Sequence, residues 1–385
     1  MYDRLAVLLL GVMLVACARS GSPMSDNATP SIAPTMAEGS PPSLASNSPR
    51  PSVEPTVEPT PSATAEPLAW TALDAIGPEA REDHTWTADP ENRIAYLFGG
   101  RDGTAVFGDL WAYDLESDEW TELAQPAAPA PRFGHKAVWV DDIGLVIFSG
   151  QAGPTFFNDL WAFDPESGDW TELPSTGAVP TPRYGSCASI GPDDRLWISH
   201  GFTSDGTRFN DTRAYDFASG EWTDETPDGG LPVNRCLHGC WWTDDGTLAL
   251  YGGQTTGVTA LGDRWTLADG EWTRVEGTVP PDRNLYARTR LDGATLIFGG
   301  QGLDGGFLGD AWMLLDGEVD AVEMDVTGPA GRAGAELITD AARDRVLLFG
   351  GRDADGGLAD TWALSGALLG GQASVVVFLE RGADR

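Results

Sequence analysis

Six times along this chain the same short pattern returns: an apolar run, a glycine pair or a close variant of one, and nine or ten residues later an aspartate. The runs are Tyr96-Leu-Phe-Gly-Gly100, Ile147-Phe-Ser-Gly150, Trp197-Ile-Ser-His-Gly201, Ala249-Leu-Tyr-Gly-Gly253, Leu296-Ile-Phe-Gly-Gly300 and Leu347-Leu-Phe-Gly-Gly351, so the final glycines recur every 47 to 52 residues. A period of that size means that each copy is one supersecondary unit stacked on its neighbours. Consecutive apolar residues, as in Val346-Leu-Leu-Phe349, mark a strand covered on both faces. One copy alone leaves both faces bare. The copies therefore have to sandwich one another, and the array has to close.

The aspartates introduce a second landmark: Asp109-Leu-Trp111, Asp159-Leu-Trp161, Asp211-Thr-Arg213, Asp263-Arg-Trp265, Asp310-Ala-Trp312 and Asp360-Thr-Trp362. A further tryptophan follows in four copies, Trp120, Trp170, Trp222 and Trp272, and Val319 is read into that slot in the fifth. This order of landmarks resembles the kelch repeat, in which each repeat is one four-stranded antiparallel blade. The resemblance implies an all-β, six-bladed kelch-type β-propeller over residues 68–366. The sixth copy stops at Trp362-Ala-Leu364 without its second tryptophan, while an unmatched Trp70-Thr71-Ala72-Leu73 precedes the first copy. Residues 68–75 are thus expected to supply the outer strand of the last blade, removing an open edge. Ser374-Val-Val-Val-Phe-Leu379 also reads as a strand and competes for that vacancy, and the role of residues 367–385 is left unassigned.

Ahead of the repeats lie two segments of different character. Residues 1–16 combine Arg4 with the apolar run Leu5–Leu14, a signal peptide too short to span a membrane. Leu14-Val15-Ala16-Cys17 resembles the lipobox of bacterial lipoproteins, which implies lipid attachment at Cys17. Residues 17–67 are rich in Pro, Ser, Thr and Ala and poor in core-forming side chains, the composition of a disordered, extended linker. Together they predict an extracytoplasmic, membrane-anchored protein.

The chain carries 58 Asp plus Glu against 24 Lys plus Arg, a net charge of −34, and Lys136 is its single lysine. Such a field repels phosphate backbones, which argues against a nucleic-acid partner. Beyond Cys17 there are three cysteines, an odd number. Cys236 and Cys240 lie about 13 Å apart if the chain is extended, which favours a bridge from Cys187 to Cys236 or to Cys240. The pair Cys236 and Cys240 lacks the second pair that a zinc site needs. His84, His135 and His238 each fall three residues after a blade-opening arginine, a position read as structural, and His200 replaces a glycine of the pair. No metal or cofactor is assigned, and the sequence lacks the nucleophile elbow and P-loop motifs.

Kelch-type propellers include galactose oxidase and bacterial N-acetylneuraminate epimerases, so the resemblance implies a carbohydrate-active enzyme as one alternative. None of their catalytic residues maps onto matched positions here. The favoured expectation is a non-catalytic recognition module for an extracellular or cell-envelope protein or glycan. Antiparallel blades put the blade-opening arginines and the residues after each glycine pair on one face. That face brings forward Arg101, Gln151, Phe202, Gln254, Gln301 and Arg352 as candidate ligand-binding residues, a set of forked donors, amides and one aromatic suited to carboxylates or sugar hydroxyls. Arg101 and Arg352 are expected to face each other across the seam between the first and last blades.

Overall fold

The computed structural model describes residues 67–125 and 127–366. The expected signal peptide, Cys17, the linker up to residue 66 and the strand at 374–379 lie outside them. Apart from one turn of 3-10 helix, Ala341–Arg343, the described elements are strands. They form six antiparallel blades. Blade 1 runs, from the axis outward, through Thr85–Asp89, Ile94–Phe98, Leu110–Asp114 and Glu119–Leu123. Blades 2 to 5 repeat the order, with inner strands Lys136–Val140, Cys187–Ile190, Gly239–Trp242 and Ala287–Leu291. Blade 6 takes Glu336–Asp340, Arg345–Phe349 and Thr361–Ser365 from the end of the propeller and Ala69–Leu73 from its start.

The second strands meet the expectation of burial on both faces: Gly144–Phe148, Ala294–Phe298 and Arg345–Phe349 are buried at every position. What covers them comes from the next blade. The outer-strand tryptophan of one blade packs on the phenylalanine that precedes the glycine pair of the blade before it. Trp120 meets Phe349, Trp170 meets Phe98 and Trp222 meets Phe148, at 5.1, 5.2 and 5.2 Å between ring centres. Trp70 makes the same contact with Phe298 at 5.3 Å, and its ring lies on Gly328, where any side chain would collide with it. The first strand is therefore the outer strand of blade 6 in pairing and in packing.

Two local differences from the sequence reading stand out. Val319 does not fill the fifth tryptophan slot. The residue opposite Leu314, as Trp120 is opposite Tyr113, is Ala321, and Val319 is an exposed hairpin residue. Blade 4 joins its outer strands by a hairpin two residues shorter than blade 5 does, so its spacing misplaces the slot by two. Blade 3 has a fifth strand: Thr176–Gly177 pairs in parallel with Glu221–Asp224 and covers part of its outer edge.

Candidate functional site

Strand direction defines two faces. Face A carries the loops between second and third strands and the connections between blades; face B carries the two hairpins of each blade. On face A every blade is clasped by its opening arginine. Arg81, Arg132, Arg183, Arg235, Arg283 and Arg332 are 0–2% exposed. Each donates two bonds of 2.5–3.0 Å to one aspartate, respectively Asp109, Asp159, Asp211, Asp263, Asp310 and Asp360. Each also donates to the carbonyl of the residue before the final glycine, at 2.8–3.0 Å. In five blades the indole N–H two residues after the aspartate completes the carboxylate. In blade 3 Arg213 replaces that tryptophan, and its Nε donates to the same oxygen of Asp211 at 3.2 Å. Burial pushes these carboxyls up, but the arginine bonds outweigh it and hold all six below the usual carboxylate range.

Inside the clasps runs a belt of backbone. Asp83, Gly134, Gly185, Leu237, Leu285 and Gly334 all have φ between 51° and 68°. Each N–H donates to the equivalent carbonyl of the preceding blade: Gly134 to Asp83, Gly185 to Gly134, Leu237 to Gly185, Leu285 to Leu237, Gly334 to Leu285 and Asp83 to Gly334, at 2.7–3.2 Å. The six bonds close a circle around the axis. Gly134 has a second reason to be glycine: the Tyr184 ring occupies the space its side chain would need, reaching over to donate from its hydroxyl to Asp83 at 2.9 Å.

The histidines are packed into this layer. His84 and His135 sit beneath the glycine pairs of the preceding blades, Gly350 and Gly99. His135 exchanges a hydrogen bond with Thr85 at 2.9 Å. His200 stands where the repeat has glycine, with φ of 59°. Blade 3 has Ser199 where other blades place the aromatic, and the His200 ring takes over the contact with the next blade's Trp272 at 6.5 Å. Burial pushes His84 and His200 down to about 3, with neighbouring arginines adding to it, and places His135 and His238 well below the imidazole range.

The six candidate residues occupy equivalent positions. The residue after each opening arginine bridges through its backbone to the residue after each glycine pair: Glu82 to Arg101, Phe133 to Gln151, Tyr184 to Phe202, Cys236 to Gln254, Asn284 to Gln301 and Ala333 to Arg352. Their side chains do not converge on one point. Gln151 and Gln301 donate to Gly153 and Gly305 of their own loops. Gln254 faces the Cys236 sulfur at 3.6 Å. Phe202 packs edge-on against Tyr184 and Phe156. Arg101 and Arg352 do meet across the seam, but on a shared carboxylate: both pair with Glu82, and Arg101 also pairs with Asp83 at 3.1 Å. Burial pushes the Glu82 carboxyl up and Asp83 adds to it, while the two arginines oppose the rise. Two cations against two carboxylates leave little net attraction for an anion at this seam.

Sequence reasoning missed a group on the same face. Val233, Val258 and Leu303 are three of the five large apolar side chains that stand exposed among the described residues. Their loops are tied together: Thr255 donates to the Asn234 carbonyl and Thr259 to the Leu303 carbonyl at 2.8 Å. Exposed Asp205 and Asp304 lie on the neighbouring loop tips. Cys187 and Cys240, on the inner strands of blades 3 and 4, form a disulfide with Cα atoms 5.6 Å apart, and Cys236 is a buried free thiol.

A family model described as the KLHDC2/KLHL20/DRC7 Kelch-repeats domain matches residues 62–253. Acyl-CoA-binding domain-containing protein 4 of Arabidopsis thaliana is 35% identical over 83 residues, 21% of this chain and 12% of that protein. Mei4-dependent protein 6 of Schizosaccharomyces pombe is 32% identical over 62 residues, 16% of this chain and 9% of that protein. Kelch domain-containing protein 2 of Bos taurus is 32% identical over 103 residues, 26% of this chain and 25% of that protein. The chain thus spans a quarter or less of the length of these relatives.

Proposed function

We propose that this chain, a kelch-repeat β-propeller, is a non-catalytic recognition module that binds a protein partner on face A. The observation that carries the reading is the placement of Val233, Val258 and Leu303 on adjoining loops of blades 3 to 5. Exposed apolar side chains gathered on one surface and rimmed by polar groups mark an interaction site. The carboxylates of Asp205 and Asp304 beside them, in a chain of net charge −34, favour a partner with a basic, apolar surface. Of the six positions Arg101, Gln151, Phe202, Gln254, Gln301 and Arg352, those of blades 3 to 5, Phe202, Gln254 and Gln301, belong to the same blades as that surface. The repeated arginines and aspartates are spent on the clasps, which supports recognition over catalysis.

The proposal also places the module outside the cytoplasm. The buried Cys187–Cys240 bridge supports an oxidising compartment, and the lipobox-like segment ending at Cys17 supports a membrane anchor. A Cys17→Ser protein is expected in the soluble fraction; retention on membranes refutes the anchor. A photo-crosslinking residue at Thr256 on face A is expected to capture a protein that one at Gly270 on face B does not. Capture from Gly270 alone refutes the assignment of face A, and binding to a glycan array without protein capture moves the reading to a glycan.

A further inference from the structure

On the face B side of the belt the axis widens into a cavity of about 310 Å³, lined by the inner strands of all six blades. That volume is at the lower end of small-molecule sites. Four charged groups line it, Lys136 of blade 2, Arg288 and Arg290 of blade 5 and Glu336 of blade 6. Lys136, Arg288 and Glu336 each keep part of their surface open to the cavity, while protein packs around them on all other sides. None of these three is closed on a partner. The Lys136 ammonium and the Glu336 carboxylate have no hydrogen bond or ion pair among the described residues, and Arg288 reaches only the Ala188 carbonyl, at 3.5 Å. They sit close enough to feel one another: burial pulls Lys136 and Arg288 down and pushes Glu336 up, and the opposite charges across the cavity oppose those shifts without cancelling them.

This contrasts with the charges elsewhere on the propeller. The six blade-opening arginines are saturated, and Arg290 near the mouth is closed by Asp316 and Asp244 at 2.7–2.9 Å. An ammonium and a guanidinium left open in a cavity lack the partners that buried charges normally find. With Arg290 closed by its aspartates and the nearby Asp83 paired with Arg101, the groups left open are two cations and one carboxylate, in a chain of net charge −34 that holds a single lysine. A monoanion brings the group to neutrality, whereas a dianionic phosphate meets the repulsion of Glu336. A carboxylate fits the Arg288 fork and the Lys136 ammonium. Glu336, facing them, can accept from a hydroxyl on the same molecule.

We propose that the axial cavity, entered from face B, binds a small hydroxylated carboxylate through Lys136 and Arg288, with Glu336 accepting a hydroxyl of the ligand. This site lies on the opposite side of the belt from the face A surface and does not depend on it.

The single lysine makes the test direct. Native full-length protein is treated with 2,4,6-trinitrobenzenesulfonate, an anionic amine reagent, and modification of the Lys136 peptide is followed by mass spectrometry. Lys136 is expected to react, and saturating D-gluconate or D-glucuronate to slow it about tenfold, while sorbitol does not. A Glu336→Gln protein that retains its melting temperature is expected to react with little discrimination between gluconate and acetate. If that variant does not fold, Thr87→Val at the cavity wall takes its place and is expected to weaken gluconate protection. Absence of reaction at Lys136 until the protein is denatured overturns the open cavity. Reaction that neither carboxylate slows overturns the ligand class, and equal protection by sulfate reduces the site to an adventitious ion only.

Discussion

Replacing Trp70 by alanine tests whether the propeller behaves as one closed ring. Trp70 is 8% exposed and contributes about 200 Å² of apolar burial, worth about 5 kcal/mol at 25 cal/mol per Å². Truncations of this kind cost about 3–5 kcal/mol in measured cores. A domain of about 300 residues has an unfolding entropy near 0.6 kcal/mol per degree at its midpoint, so the melting temperature should fall by about 5–8 °C. The useful control is internal. Trp120, Trp170 and Trp222 make the same contact on the neighbouring blade as Trp70 does, so their alanine variants should cost the same within about 1 kcal/mol in urea titrations. Removing residues 1–66 should leave the midpoint unchanged. Removing 1–75 should lower it further than Trp70→Ala, because the pairing with Thr361–Ser365 goes as well. A Trp70→Ala cost below about 1 kcal/mol beside a full cost for Trp120→Ala would refute cooperative closure, and equal stability of the two truncations would pass the role to residues 374–379.

The clasps and the histidines yield further expectations. Arg132→Met strands the Asp159 carboxylate in a half-buried site and should cost about 3–5 kcal/mol in urea unfolding, with Arg132→Met/Asp159→Asn recovering part of that loss. Arg213→Ala removes one donor from Asp211 and should cost about 1–2 kcal/mol, whereas Arg213→Trp restores the arrangement of the other blades and should be neutral or stabilising by calorimetry. The four buried histidines have depressed folded-state pKa values, so the unfolded chain takes up protons that the folded one refuses. Their contribution is intact above about pH 6.5 and is lost as the pH falls, by about 2 kcal/mol at pH 5 for His84 or His200, whose folded values lie at about 3. Urea midpoints measured at high salt, which screens the acidic surface, should fall steeply from pH 7 to 5, and His84→Gln should flatten the slope. A flat profile refutes the neutral burial of these rings.

The fold was legible because its signals are periodic. Glycine pairs, aspartates and tryptophans recur in phase, and Trp70 could be matched to a vacancy about 290 residues away. Roles that depend on partners were harder to read. The arginine and aspartate of each clasp stand 27 or 28 residues apart, a regularity present in the sequence, but only the fold shows that they hold each other. Arg213 stands where five blades have tryptophan, yet it preserves the donor to the aspartate and changes only its chemistry. Val319 was misplaced because hairpin length, which sequence reports poorly, sets the slot. The belt hides behind mixed residue types: Gly134, Gly185 and Gly334 hint at left-handed backbone, while Asp83, Leu237 and Leu285 adopt it without announcing it. The cavity charges come from blades 2, 5 and 6 and share no motif, so only closure of the ring brings them together.

Closure by the first strand also sets a timetable for biosynthesis. Ala69–Leu73 is translated about 290 residues before its partner Thr361–Ser365, an interval of about 15–60 s at ordinary elongation rates. Throughout that time its hydrogen-bonding edge and the Trp70 side chain have no partner in the nascent polypeptide. Blade 6 lacks its full set of strands until Thr361–Ser365 is available to pair with Ala69–Leu73, so the ring cannot close before the last repeat exists. A cell making this protein has to keep that early strand from pairing with other chains until the last repeat has been translated.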